Sequence, residues 1–102
     1  MIYVIATIDL TPGTREAYLV EFRKNQPLVL AEAGCIAYAP AIDSETDIPI
    51  QFKTGPDRLT VMEQWESVEA LKAHSVAPHM KTNRLAVKDY VRGMELRVLS
   101  PV

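Results

Sequence analysis

A chain of 102 residues with net charge −2 and no basic block is expected to form one domain, residues 1–102, with no electrostatic footprint for nucleic acid or an anionic membrane surface. Apolar residues make up 48% of it. Even so, no run nears the roughly 18–20 needed to span a bilayer, and MIYVIATIDL lacks the basic segment and long apolar stretch of a secretion signal. The single cysteine, Cys35, allows no internal disulfide, so a reducing, cytoplasmic setting is expected.

The first stretch, Ile2–Leu10, alternates with period two. Ile2, Val4, Ala6, Ile8 and Leu10 fall on one side and Tyr3, Ile5, Thr7 and Asp9 on the other, which predicts a strand. Thr11-Pro12-Gly13 is a turn signal, and Thr14 is placed to cap a helix running to about Ala33. Tyr18, Leu19, Phe22, Val29 and Leu30 recur near helical spacing along it. Pro27 removes a backbone donor and should kink or break that helix near Lys24–Asn25, and Gly34 fits a closing C′ position.

Cys35–Ile42 predicts a short strand, confined to an edge or a strand end by Pro40. Asp43–Asp57 is a polar connection in which Ile48, Ile50 and Phe52 alternate, suggesting a loop and then an extended arm docked on a partner subunit. Arg58–Glu66 predicts a strand with Leu59, Val61, Glu63 and Trp65 on one face. Ser67 caps a helix to Val76, with Val68, Leu71, His74 and Ser75 on one side. Pro78 opens a second helical piece to about Lys88, with Met80, Leu85 and Val87 as its apolar positions. Val91–Leu99 closes the chain as a strand.

Strand, helix, strand, strand, helix, strand is the split βαβ order of an α+β ferredoxin-like domain with a four-stranded antiparallel sheet. Helices must cover one face of the sheet. The other face carries too many apolar groups to stay wet, and a symmetric homodimer, two sheets face to face, would bury it.

Several segments together resemble the antibiotic biosynthesis monooxygenase family: MIYVIATI, PGTREAYL at the first helix, EAGCIAY, VMEQWESVEALKAH, and a last strand ending in VLSP. That group includes quinol monooxygenases of the dimeric α+β barrel fold. The resemblance implies a homodimer with a small apolar pocket between sheet and helices. It also implies oxidation of a quinol or an aromatic, polyketide-like phenol by O₂ with no cofactor. The deprotonated substrate would supply the electrons, while the protein desolvates the ring, helps remove a proton and stabilises the oxyanion. Two other branches fit less well. The heme-degrading pattern has an asparagine in the first strand, a tryptophan on the helix after the third strand and a histidine ligand further on; here Thr7 and His74 occupy or adjoin the first two positions, and no histidine lies around Thr82–Arg84. A branch acting on phosphorylated signalling sugars would need a phosphate site, and no Gly-rich loop or tight basic pair is present.

The chemistry-bearing residues cluster in VMEQWESVEALKAHSVAPHM. His74 sits beside Leu71 on the apolar side of its helix, where an imidazole can act as general base toward a phenol. Glu63 shares a strand face with Trp65 and is expected to lie under His74 and orient it. Trp65, Tyr38, Phe22 and Leu71 are expected to line the pocket, Trp65 as an aromatic wall and Tyr38 as a phenol donor. His79 is expected at the rim and Arg84, with Arg92, at the mouth. His74 and His79 lie five apart across a proline break with no third ligand in spacing, so no metal is expected. Cys35 has no adjacent base and reads as a small packed residue. The competing readings are a dimer that binds a small ligand without chemistry and a non-oxidative isomerase on the same fold.

Overall fold

The computed structural model covers residues 1–102 and runs β1 (Ile2–Leu10), α1 (Arg15–Leu30), β2 (Cys35–Ala41), β3 (Arg58–Trp65), α2 (Val68–Ser75), α3 (Pro78–Val87), β4 (Val91–Leu99). The strands form one antiparallel sheet in the order β2-β3-β1-β4. This is the expected ferredoxin-like α+β topology.

Alternation decides which side of the sheet is covered. Residues directly opposite each other in an antiparallel pair project to the same side. Ile2 pairs with Trp65, Val4 with Glu63, Ala6 with Val61 and Ile8 with Leu59. All eight are buried, so β1 and β3 present one continuous face to the helices. Helix α1 lays Tyr18, Leu19, Phe22 and Val29 on it, α2 adds Leu71, and α3 adds Val87, all in one contiguous core. Each fully buried side chain of this size contributes about 1.5–3 kcal/mol. Pro40 lies on β2, an edge strand, as its missing donor requires.

Local chemistry sets the boundaries, and some differ from expectation. Helix α1 passes through Pro27 unbroken. Arg23 and Pro27 are both exposed, so water can satisfy the carbonyl that Pro27 leaves without a donor. The helix ends at Leu30, where the Ala31 N–H donates to the Pro27 carbonyl at 3.1 Å and the Glu32 N–H to the Val29 carbonyl at 3.0 Å. Gly34 is therefore not the helix-closing glycine. It sits in the following turn at φ +84°, and a Cβ there would lie 2.6 Å from the Cβ of Ala70. Glycine is required because the chain entering β2 runs directly against Ala70 of α2, and the Glu66 N–H, in the link between β3 and α2, donates to the Gly34 carbonyl at 2.8 Å. Ser67 caps α2 as expected, accepting from the Ala70 N–H at 3.1 Å. Leu30, Val68, Ser75 and Leu85 point to solvent rather than to the core, because only a narrow stripe of each helix meets the sheet.

Ile42–Asp57 holds no strand. Its base is stapled by the Asp43 carboxylate, which accepts from the backbone N–H groups of Thr54 (3.0 Å) and Gly55 (2.9 Å). Those bonds hold the Asp43 carboxyl below its usual range. Beyond the staple, Ile48, Ile50 and Phe52 are exposed, Ile50 at 92%. No helix is long and apolar enough to cross a membrane.

Candidate active site

The buried polar groups gather at one end of the helix-covered face. Helix α2 carries Leu71 and His74 three apart, so both turn inward. The ring of His74 lies 4.8 Å from that of Trp65 and 5.5 Å, edge-on, from that of Tyr38. Tyr38 in turn stacks on Phe22 at 5.2 Å with the planes 4° apart, and Phe22 leans on Tyr18 at 6.5 Å. The expected pocket residues Trp65, Tyr38, Phe22 and Leu71 are thus all buried and share one core with His74 above them. The Tyr38 carbonyl accepts from the side-chain amide of Gln26 at 2.9 Å, which ties β2 to α1.

The carboxylate that holds His74 is not Glu63. It is Glu32, in the turn after α1, whose Oε2 lies 2.7 Å from Nδ1 of His74. A carboxylate accepts, so Nδ1 carries the proton and Nε2 is left as the basic nitrogen of the neutral ring. The strand-face assignment of Glu63 is correct: it is 8% exposed, opposite Val4 and Tyr38. Its Oε1, however, accepts from the Trp65 indole N–H at 2.9 Å. The helix that brings His74 over the sheet thus sets its ring on Trp65, while the α1–β2 turn delivers a different acid to it.

Burial shapes the electrostatics. It raises Glu63 from 4.5 to about 7; the indole hydrogen bond opposes the rise and the Glu32 charge adds to it. A carboxyl in that range exchanges a proton near neutral pH. Burial, with Glu63 nearby, pushes the Tyr18 phenol up to about 12 and Tyr38 higher still. Both therefore stay protonated and can donate. The Cys35 thiol is also raised, first by burial and then by Glu32 and Glu63, so it is a poor nucleophile.

His79 sits where α3 meets α1. Its Nδ1 is 2.9 Å from Oδ1 of Asn25, and its Nε2 is 3.6 Å from the same Glu32 oxygen that holds His74. Asn25 donates to the sulfur of Met80 at 3.1 Å. Arg84 does not join the aromatic cluster: it is exposed and donates to the Ser75 carbonyl at the end of α2. Arg92 is exposed on β4. No three His, Cys, Asp or Glu side chains group so as to hold a metal ion.

Glu32 and Asn25 are the site residues that sequence reasoning missed. Both carried a signal. An acid just past a helix C-terminus opposes the helix dipole and calls for another reason to be there. Asn25 follows Phe22 by three and precedes Val29 by four, which puts a polar group on the apolar stripe.

Residues 1–84 match the family model described as antibiotic biosynthesis monooxygenase. The chain is 44% identical over 103 aligned positions to the probable quinol monooxygenase YgiN of Escherichia coli K12, covering 99% of this chain and 98% of that protein. Among solved structures, PA3566 from Pseudomonas aeruginosa superimposes with a TM-score of 0.79 at 25% identity, covering 99% of this chain and 93% of that one. Rv0793 from Mycobacterium tuberculosis gives 0.78 at 24%, covering 99% and 94%. The chain belongs to the antibiotic biosynthesis monooxygenase family.

Proposed function

We propose that the protein is a cofactor-independent monooxygenase that oxidises a quinol or related aromatic phenol with O₂, working as a homodimer, with His74 as its base. One observation carries the reading: a buried imidazole, held through Nδ1 by Glu32 at 2.7 Å, lies against the rings of Trp65 and Tyr38. A planar phenol needs aromatic walls, and its hydroxyl needs a base whose other nitrogen is anchored. The similarity to the probable quinol monooxygenase YgiN supports the substrate class.

In this reading the hydroxyl proton passes to Nε2 of His74. Glu32 stabilises the imidazolium that forms, and the apolar surroundings exclude water from the phenolate. Electrons pass from the phenolate to O₂, and no protein group changes oxidation state. Glu63 stands ready as a second proton-exchanging group beside Trp65, and Tyr38 as a phenol donor toward a developing oxyanion. His79 and Arg84 are not given substrate contacts, since Glu32 and Ser75 engage them instead.

A binding module without chemistry would more naturally tie His74 to backbone; the Glu32 contact favours the catalytic reading over it. The test is O₂ consumption with a menadiol-type quinol. The protein should raise it clearly above autoxidation, and equal rates with and without protein contradict the proposal. A non-oxidative isomerase would instead keep its activity when O₂ is removed.

A further inference from the structure

The buried nitrogen of His79 poses a problem that its neighbours solve in only one way. The sulfur of Met80 has no proton to give, so the Asn25 amide nitrogen belongs beside it and Oδ1 faces His79. Oδ1 only accepts, so Nδ1 of His79 carries a hydrogen. A neutral His79 would then aim the lone pair of Nε2 at a Glu32 oxygen 3.6 Å away, from a buried atom with no hydrogen-bond partner. Facing lone pairs in a buried site are costly. A proton on Nε2 turns the same contact into an ion pair.

We infer that His74 and His79 share Glu32 as one titrating unit, and that His79 is the port through which this unit exchanges a proton with water in the groove between α1 and α3. This rests on the reading of His74 as the base, and it makes His79 a positioning residue that acts through Glu32. The groove has a volume of about 310 Å³ and is lined in part by Asn25, His79 and Asn83, so the His79 end of the unit lies beside solvent while the His74 end lies against the aromatic rings. The charged and titratable groups around the unit are few. Glu21 and Lys24 on α1 pair with each other at 3.0 Å in the groove wall. Tyr38 and Cys35 on β2 stay protonated, Glu63 on β3 is held by Trp65, and Arg84 on α3 is bound to the Ser75 carbonyl.

The proton balance is simple. At rest Glu32 is anionic, His74 neutral and His79 cationic, so the unit is neutral. When Nε2 of His74 takes the substrate's proton, two cations share one carboxylate. Loss of a proton from His79 to water in the groove restores neutrality. One proton enters at His74, one leaves at His79, and no electron moves through the unit.

The test is a ¹H–¹⁵N NMR titration of the imidazole nitrogens in the intact protein. Removing the charge at position 79 with His79→Gln should raise the titration midpoint of His74 by about half a pH unit or more. An unchanged midpoint in a folded variant overturns the inference. Should that variant fail to fold, Asn25→Leu decides: it frees Nδ1, lets neutral His79 donate through Nε2, and should lower the His79 midpoint, whereas an unchanged midpoint overturns the inference. In turnover, His79→Gln should displace the pH profile of kcat in the same direction as the His74 midpoint and leave KM in place. The NMR result stands even if no quinol is oxidised, so this inference and the proposed activity can fail separately.

Discussion

Two regions of the molecule break the ordinary rule of apolar inside and polar outside, in opposite senses. Under the helices, Asn25, Glu63 and His74 are buried, with Glu32 and His79 partly so. On the flank, Met94, Leu96 and Val98 of β4 alternate as cleanly as β1 does and pair with the buried Ile8, Ala6 and Val4, yet remain exposed, as do Ile50 and Phe52 in the connection. Only the side chains of β1–β3 lie beneath helices; the edge strand projects past them. A buried polar cluster is costly unless its members satisfy one another, which these do everywhere but at Nε2 of His79. An exposed apolar stripe is tolerated where another surface covers it. The first inversion is what chemistry requires, and the second is what a homodimer would require.

The buried region can be broken at its carboxyls. Glu63 has a folded value of about 7 against 4.5 unfolded, so its contribution to stability is fully present below 4.5 and is lost as pH rises through 7. That loss is roughly 3 kcal/mol at most. Glu63→Gln keeps the acceptor for the Trp65 indole and should flatten this part of the stability profile. Urea unfolding at pH values either side of the window, for both proteins, checks it; identical slopes would show that Glu63 does not carry the shift. Glu32→Gln should reduce quinol oxidation by roughly tenfold to a hundredfold, the worth of one charge-assisted hydrogen bond of about 1.5–3 kcal/mol, mainly in kcat. Steady-state kinetics measure it.

The flank gives the smallest effect on folding and the clearest on assembly. Leu96 is half exposed in the isolated chain, so Leu96→Glu should change monomer stability by less than about 0.5 kcal/mol. If a second subunit covers β4, the same substitution should halve the mass in light scattering. An unchanged mass would place the dimer contact elsewhere.

Much of the fold was legible because it depends on short-range periodicity. The alternation of Ile2–Leu10 and of Leu59–Trp65, the Ser67 cap and the edge position of Pro40 are all decided within a few residues. Coverage was not legible. Nothing in the spacing of Leu30 or Leu85 says whether an element lies above it, so apolar positions beside narrow helix stripes were expected in the core, and the alternation of Met94, Leu96 and Val98 does not say whether a helix covers them. The site divides the same way. His74, Trp65, Tyr38 and Phe22 follow from helix and strand faces. The partner of His74 lies 42 residues away in sequence, in a turn delivered by tertiary packing, and strand-face logic led instead to Glu63, the nearest acid on the same sheet face. A sheet face fixes orientation, not which long-range group arrives first.

The central claim is that His74, anchored by Glu32, removes the substrate's proton. O₂ uptake by wild type and His74→Ala with the same menadiol-type quinol, at equal protein concentration and corrected for autoxidation, tests it most directly. The variant should lose about a hundredfold or more of the enzymatic rate. Equal rates for the two proteins would contradict the account.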